Sequence, residues 1–458
     1  MFYDERVSAL NKTEAYYKKM TETPVSKLII ALGIPTTISM LITNIYNLAD
    51  TYFVGTLGES PQAATGILFT LQSIIQAIAF MLGHGSGTYV SKALADKDVK
   101  ESSKYSSTAF FTGAFFGTLI MITGLIFLKP FMLLLGSTST ILPHAMDYGM
   151  WVLIACPFMV CSLILNNNLR FEGKAFYSMI GLTFGGVLNI FGDYMLIRKF
   201  NMGVYGAGLA TAVSQMISFS ILLILYLKSA QSKLSFKYFS LEWKVYFEIF
   251  KGGLPSLIRQ GLTSISGGVL NNCAKTFGDA AIAAMSVVNR FSMFVMCVGL
   301  GIGQGFQPVA AFNYRAKKYG RVKKGLLFTI LVGFVLIGSL SLVGYVFADK
   351  IVYIFQKSIA VRAVGVPAMR YSCIGLLFMS LSVPVNMLYQ SIRKAATASF
   401  LSMLRSGAFL IPAVIFGTRF MGLTGLELAQ PVSDVLTGVI CIPFVLFFIT
   451  KEHYEDKE

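Results

Sequence analysis

Apolar stretches long enough to cross roughly 30 Å of hydrocarbon at about 1.5 Å per residue recur along the whole chain, each broken by a short polar turn. Twelve such runs can be counted, centred near Met40, Ile74, Leu119, Leu153, Gly186, Phe219, Ser264, Phe294, Gly333, Phe378, Ala408 and Val439. In lipid, backbone N–H and C=O groups have no water to bond, so runs of this kind must be helices packed as a bundle. The pattern predicts an all-α membrane protein with twelve transmembrane helices.

The runs also repeat. Sliding the chain against itself by 220 residues aligns the halves without a gap over about their first 75 positions. Gly33, Pro35, Ile38 and Thr43 meet Gly253, Pro255, Ile258 and Thr263, and Gly83, Gly85, Lys97 and Lys104 meet Gly303, Gly305, Lys317 and Lys324. The register still holds at Asn166/Asn386 and Lys174/Lys394, and drifts by one residue at Gly203/Gly422. Six helices per copy is an even number, so both copies enter the bilayer in the same orientation. They are expected to be two pseudo-symmetric lobes related by an axis along the membrane normal, an architecture of transporters that rock about a central site. The boundaries read as an N-terminal tail (1–23), an N-lobe (24–228), a linker (229–246), a C-lobe (247–450) and a C-terminal tail (451–458). The join from Lys228 to Lys251 is long enough to let the lobes move.

Composition agrees with this reading: 55% of residues are hydrophobic and 13% charged, about half the charged share of a soluble domain. Met1 to Thr23 has no apolar core and no small-residue cleavage site follows the first run, so a cleaved signal peptide is not expected. The net charge of +16 could suggest nucleic acid, but its distribution follows a membrane rule. With the N-terminus in the cytoplasm, 26 Lys and Arg fall in inside segments and 8 in outside loops. Both termini are therefore expected in the cytoplasm, with the chain in a bacterial cytoplasmic (inner) cell membrane. Anionic lipid headgroups, not nucleic acid, account for the basic loops. The six cysteines sit inside predicted helices without metal-ligand spacing and read as small core residues. No GxxxxGK[ST] loop is present, and Gly299, Gly301, Gly303 and Gly305 read as close helix packing. With three histidines and no catalytic arrangement, neither an enzyme nor a resident cofactor is expected.

Function is most legible where the copies differ. Of 22 Asp and Glu, four lie within apolar helices: Asp50, Asp193, Glu427 and Asp434. A carboxylate at membrane depth costs several kcal/mol unless it is paired, protonated or solvated. Asp50 faces Leu270 in the repeat, and Asp193 faces Pro412 or Ala413, so the shared fold requires neither acid. One helical turn before each stands a polar neighbour, Tyr46 and Asn189. Thr211 and Asn166 come from two further helices, and together these oxygens suit a proton or a hard monovalent cation such as Na+. The plainer reading is that Asp50 ends its helix at the outer interface while Asn189 and Asp193 serve packing. Glu427 and Asp434 lie on one face of the last helix, where Arg405 can neutralise one of them. The second half carries Arg259, which replaces Ser39 of the repeat, together with Arg290, Asn271 and Asn272. Arg259 either binds an anionic group of a substrate or pairs with Glu427 or Asp434. Met40, Met285, Met293 and Met296 are candidates to line an adaptable pocket. The substrate-contacting set expected on these grounds is Met40, Arg259, Asn272, Arg290 and Met293. Matched prolines, Pro35 and Pro255, suggest bending helices.

The stretch Pro35 to Gly58, with Asn47-Leu48-Ala49-Asp50-Thr51, Val54-Gly55 and Leu57-Gly58, resembles the opening helix of multidrug and toxic compound extrusion (MATE) transporters. Leu188-Asn189-Ile190 to Asp193, Gly206-Ala207-Gly208-Leu209-Ala210-Thr211, and Ala429-Gln430-Pro431 before Asp434 extend the likeness over residues 24–450. The resemblance implies a V of two six-helix lobes that exports organic compounds against inward Na+ or H+ flow. In DinF-like members the cation is handled in the N-terminal lobe, by residues that would be Tyr46, Asp50, Asn189, Asp193 and Thr211 here, with Asn166 close by. NorM-like members place extra acids in helices 7 and 10, which here carry Arg259 and no internal acid, so the DinF-like bacterial type is implied. The expected activity is multidrug efflux by antiport, with the chain acting as a monomer on a small-molecule substrate. The alternative is a flippase for an anionic lipid-linked precursor, with Arg259 and Arg290 as its headgroup site.

Overall fold

All twelve runs are helices in the computed structural model, which describes residues 13–451. The first six are α1 (Val25–Gly55), α2 (Glu59–Ala95), α3 (Val99–Ile126), α4 (Leu142–Phe171), α5 (Ala175–Asp193, prolonged by the π-helical stretch Tyr194–Lys199) and α6 (Gly203–Ser229). The second six are α7 (Trp243–Ala274), α8 (Asp279–Arg315), α9 (Tyr319–Val346), α10 (Ile359–Leu376 and Met379–Ser391), α11 (Ala395–Met403, π-helical Leu404–Phe409, Leu410–Met421) and α12 (Leu423–Lys451). Short helices at 13–22, Leu128–Leu134 and Ala348–Phe355 lie between or before them. Among the described residues, eleven helices are long and apolar enough to cross a membrane. The one of the twelve that falls short in apolarity is α7, whose central turns interrupt Leu and Ile with Gly, Ser, Thr, Arg259 and Gln260. The chain is a multi-pass membrane protein.

The repeat survives in the backbone. α2 and α8 begin and end 220 residues apart, as do α3 and α9. The tight turns agree as well: Lys97 and Lys317 take φ of 61° and 59°, and Gly58 and Gly278 both lie at positive φ. A lysine held in the left-handed region is strained, so its presence at both equivalent turns marks inherited geometry. Five of the six cysteines are buried and all are free thiols, as core residues should be.

Two compact units emerge, and they divide the chain differently from the lobe boundaries at 24–228 and 247–450. Unit 1 gathers residues up to Met20 with Ile38–Leu257, and unit 2 gathers Thr21–Thr37 with residues from Ile258 on. The first turns of α7 thus belong with the first six helices, and the first turns of α1 with the last six. Glycine makes both associations possible. In unit 1, Gly85 of α2 lies directly against the Ile249 carbonyl of α7, and Gly253 against the backbone of Met81. In unit 2, Gly305 of α8 faces the backbone of Gly33 in α1, and Gly301 faces Thr37. Gly33, Gly85, Gly253 and Gly305 are glycines of the repeated pattern, and they serve backbone-to-backbone packing.

The join between the halves is not a bare tether. Its backbone is fastened to unit 1 by side chains of α3: Lys233 N–H donates to Ser103 Oγ (2.7 Å), Ser235 N–H to Ser107 Oγ (3.2 Å) and Ser240 N–H to Thr108 Oγ1 (3.1 Å). Glu172, fully buried, accepts from Gln231 N–H (2.6 Å), Ser232 N–H (3.1 Å) and the Ser232 hydroxyl. The linker therefore travels with unit 1 up to α7, which begins at Trp243, inside the 229–246 boundary expected from charge. Farther out, a hydrogen bond from Lys97 holds the exposed Glu14 carboxyl below the usual carboxylate range, and Lys104 does the same for Glu242. Being exposed, both pairs add little stability. Glu172→Ala removes a buried acceptor from two backbone N–H groups, a change of about 2–3 kcal/mol. Amide hydrogen exchange across 229–235 should accelerate by more than about tenfold, while exchange in α9 stays unchanged.

Candidate functional site

Unit 1 encloses the acids that break the repeat. Asp50 stands near the end of α1, Tyr148 in the second turn of α4, Asn189 and Asp193 at the end of α5, and Thr211 in the third turn of α6. Small residues bring these helices close enough to share a site. A Cβ on Gly208 of α6 would come within 3.1 Å of Trp151 and Tyr148 in α4, and one on Gly192 of α5 within 2.9 Å of Ala210. Gly186 of α5 leaves room for the Tyr46 ring of α1 (3.1 Å). The segment Gly206-Ala207-Gly208-Leu209-Ala210-Thr211 is thus a close-approach surface that delivers the Thr211 hydroxyl. Immediately after Asp193 the helix widens into its π-helical stretch, a local irregularity often found at functional positions.

The hydrogen bonds run in one direction. Tyr148 has a single O–H and donates it to Asp50 Oδ2 (2.8 Å). Its contact with Thr211 Oγ1 (3.2 Å) must then use the threonine proton, and Thr211 in turn accepts from Asn189 Nδ2 (3.1 Å). The chain Asn189 to Thr211 to Tyr148 to Asp50 leaves four buried oxygens without a partner: Asp50 Oδ1, Asn189 Oδ1 and both carboxylate oxygens of Asp193. Asp193 is 0% exposed and Asn189 1%. Buried oxygens left this way are costly, and a proton or a bound cation would satisfy them. Two carboxylates with neutral amide and hydroxyl oxygens form a hard donor set, suited to Na+ and poor for transition metals. The described residues contain no group of three or more His, Cys, Asp or Glu side chains able to hold a metal ion.

Four of the six residues expected from sequence, Asp50, Asp193, Asn189 and Thr211, lie in this arrangement. Tyr46 borders it, with its side chain hydrogen-bonded to Gln215 of α6. Asn166 does not take part: its amide donates to the Ser178 carbonyl (3.2 Å). Ser178 is 11 residues before Asn189, about 16 Å back along α5. Tyr148 was not anticipated, although the repeat held the signal, since its partner position is Ala368. Tyr148→Phe keeps the ring packing but removes the donor to Asp50, so gradient-driven turnover should fall about tenfold without loss of folded protein, as measured by initial rates in proteoliposomes.

Among the residues expected to touch a substrate, Arg259 donates from Nη1 to Asn386 Oδ1 (3.2 Å) in unit 2, and Asn386 donates to Ser402 and the Ala398 carbonyl. Arg290, Asn272 and Met293 occupy exposed positions of α8 and α7 in the same unit, and Met40 a partly buried one in unit 1. Arg405 pairs with Asp434 (2.6 Å) and not with Glu427.

Comparison with known proteins came out in agreement with the repeat. A family model described as MatE matches twice, at residues 35–195 and 255–415, two stretches of equal length starting 220 residues apart. The multidrug export protein MepA of Staphylococcus aureus is 27% identical over 433 residues, covering 94% of this chain and 95% of that protein. MepA of Staphylococcus saprophyticus is 25% identical over 432 residues with the same coverage. Among solved structures, the outward-facing conformation of a multidrug resistance MATE family transporter of the MOP superfamily superposes with a TM-score of 0.88 at 23% identity, over 94% of this chain and 98% of that one. A MOP superfamily transporter from Pyrococcus furiosus, described as having a binding pocket of reverse polarity, gives 0.87 at 22% identity, over 94% and 97%.

Proposed function

The chain belongs to the MatE family, and from that premise we propose that it is a secondary active exporter that moves organic compounds out of the cytoplasm by antiport with Na+ or H+. The relatives named multidrug export proteins support export of small molecules. The observation that carries the coupling assignment is the set of four unpartnered buried oxygens on Asp50, Asn189 and Asp193 in unit 1. Such a site binds its cation well only while the surrounding helices hold it in this geometry. A substrate that favours a different arrangement is therefore displaced when the cation enters, and by reciprocity displaces the cation when it binds. Cation entry from outside releases substrate outside.

The location of both acids in unit 1 supports a DinF-like type, and the excess of Lys and Arg in alternate loops supports placing both termini in the cytoplasm of a bacterium. The deciding experiment loads proteoliposomes with a fluorescent substrate and imposes a Na+ gradient, a pH gradient, or neither. One of the two gradients should drive export and the other should not. Equal rates under all three conditions would overturn the antiport reading, and gradient-independent movement of a lipid-linked anion in the same vesicles would favour a flippase.

A further inference from the structure

We infer that the outer edge of the Arg405 guanidinium, inside unit 2, is a binding site for the single anionic group of an amphiphilic substrate: a carboxylate, sulfonate or phosphate. This rests on the exporter reading above and names a substrate class for it.

Arg405 is placed with unusual care. It lies in the π-helical stretch Leu404–Phe409 of α11, whereas the repeat position, Gly185, lies in regular helix of α5 nine residues before that helix's own π-helical stretch. The widened turn is held by Ser433 of α12, whose hydroxyl donates to the Arg405 carbonyl (2.5 Å). Nε donates to Asp434 Oδ1 (2.6 Å), and Gln430 Nε2 donates to the same oxygen (3.0 Å). At the repeat positions, with the one-residue drift, Gln430 and Asp434 face Thr211 of the candidate cation site and Gln215, the partner of Tyr46 beside it. Unit 2 has thus kept polar groups on this part of its last helix and set a guanidinium in front of them.

The ion pair uses little of what the guanidinium offers. An arginine has five N–H donors in a planar fork, and Asp434 engages one. Nη1 reaches only the Met296 thioether (3.2 Å), and Nη2 makes no hydrogen bond among the described residues. The two terminal nitrogens form the end-on fork that matches a carboxylate, sulfonate or phosphate bidentately. Exposure decides which partner reads the pair. The Asp434 side chain is 0% exposed and its Oδ2 sits buried without a partner, while 20% of the Arg405 side chain is open. An entering ligand therefore meets the cation, with a pliable methionine beside it for an apolar body. Asp434 orients Arg405 and keeps the empty pair neutral, which makes an arginine at membrane depth tolerable.

A matched probe series tests this: dansyl-phenylalanine (an anion), its amide (neutral) and dansylcadaverine (a cation), titrated by fluorescence anisotropy against the full chain in neutral detergent with no gradient. The wild type should bind the acid about tenfold more tightly than the amide. Arg405→Gln should bring that ratio to about one, and Asp434→Asn, which removes the competing carboxylate, should raise it. If Arg405→Gln strands the buried acid and the protein fails to fold, the double variant Arg405→Gln with Asp434→Asn carries the test, with the same loss of preference. An acid preference that survives removal of Arg405 overturns the proposal. So does a wild type that prefers dansylcadaverine and loses that preference in Asp434→Asn. Binding without a gradient reads this site whether or not the chain exports, so its failure is separate from failure of the gradient assay.

Discussion

Asp50→Asn should abolish gradient-driven export, lowering the rate at least about a hundredfold, to that of protein-free vesicles, while substrate binding without a gradient stays within about threefold of wild type. The substitution is nearly isosteric, and an asparagine carbonyl can still accept the Tyr148 proton, so the chain through Thr211 to Asn189 persists. What disappears is the negative charge and the unpartnered Oδ1, which becomes an N–H2 pointing at the remaining oxygens. A donor in that place repels a cation, and no proton can be taken up. Asp193→Asn should act in the same direction, and the double variant should be no worse than either single one, because each already breaks the same site. Thermal stability in detergent should not fall, since both variants remove a buried charge. Full gradient-driven transport by Asp50→Asn would remove the coupling assignment altogether.

The fold was legible because hydrocarbon allows so few solutions. Span lengths, the 220-residue register and the distribution of Lys and Arg are all one-dimensional signals, and the helices α2, α3, α8 and α9 follow that register to the residue. The candidate site was legible in part for the same reason: Asp50 and Asp193 stand out against Leu270 and Pro412 or Ala413. Tyr148 carries a similar contrast against Ala368, but a tyrosine near a helix entrance also has an ordinary interfacial explanation, so sequence alone does not single it out. Asn166 is the opposite case. It is shared with Asn386, and both amides donate to a carbonyl twelve residues ahead, Ser178 and Ala398. That pairing is scaffold, as the symmetry rule itself would have indicated. The linker was hidden because hydroxyls at Ser103, Ser107 and Thr108 look like polar turns of a helix until a strand of backbone is seen lying on them. The exchange of first turns between α1 and α7 was also out of reach, because a helix gives no sign in sequence of which neighbour each of its halves packs against.

That exchange predicts the largest structural effect in the molecule. Gly85→Ala and Gly305→Ala should each prevent accumulation of folded protein, or lower the thermal midpoint in detergent by well over about 5 °C, from a cost of about 3 kcal/mol or more. An added Cβ at Gly85 would overlap the Ile249 carbonyl, and one at Gly305 the backbone of Gly33. A side chain could rotate away from such an intrusion. Backbone within a regular helix cannot yield without breaking its own hydrogen bonds, so the helices must separate and lose the packing around the contact. Matched controls exist in the same helices as the contacts: a Cβ on Gly66 of α2 or Gly267 of α7 meets nothing within 4 Å. Gly66→Ala and Gly267→Ala should be neutral or mildly stabilising, since alanine is the better helix former and restricts the unfolded chain. The contrast separates two meanings of glycine that composition cannot. If Gly85→Ala and Gly305→Ala melt with the controls, the first turns of α7 and α1 do not pack backbone to backbone on α2 and α8. The division of the chain at Ile38 and Leu257 would then fall with them.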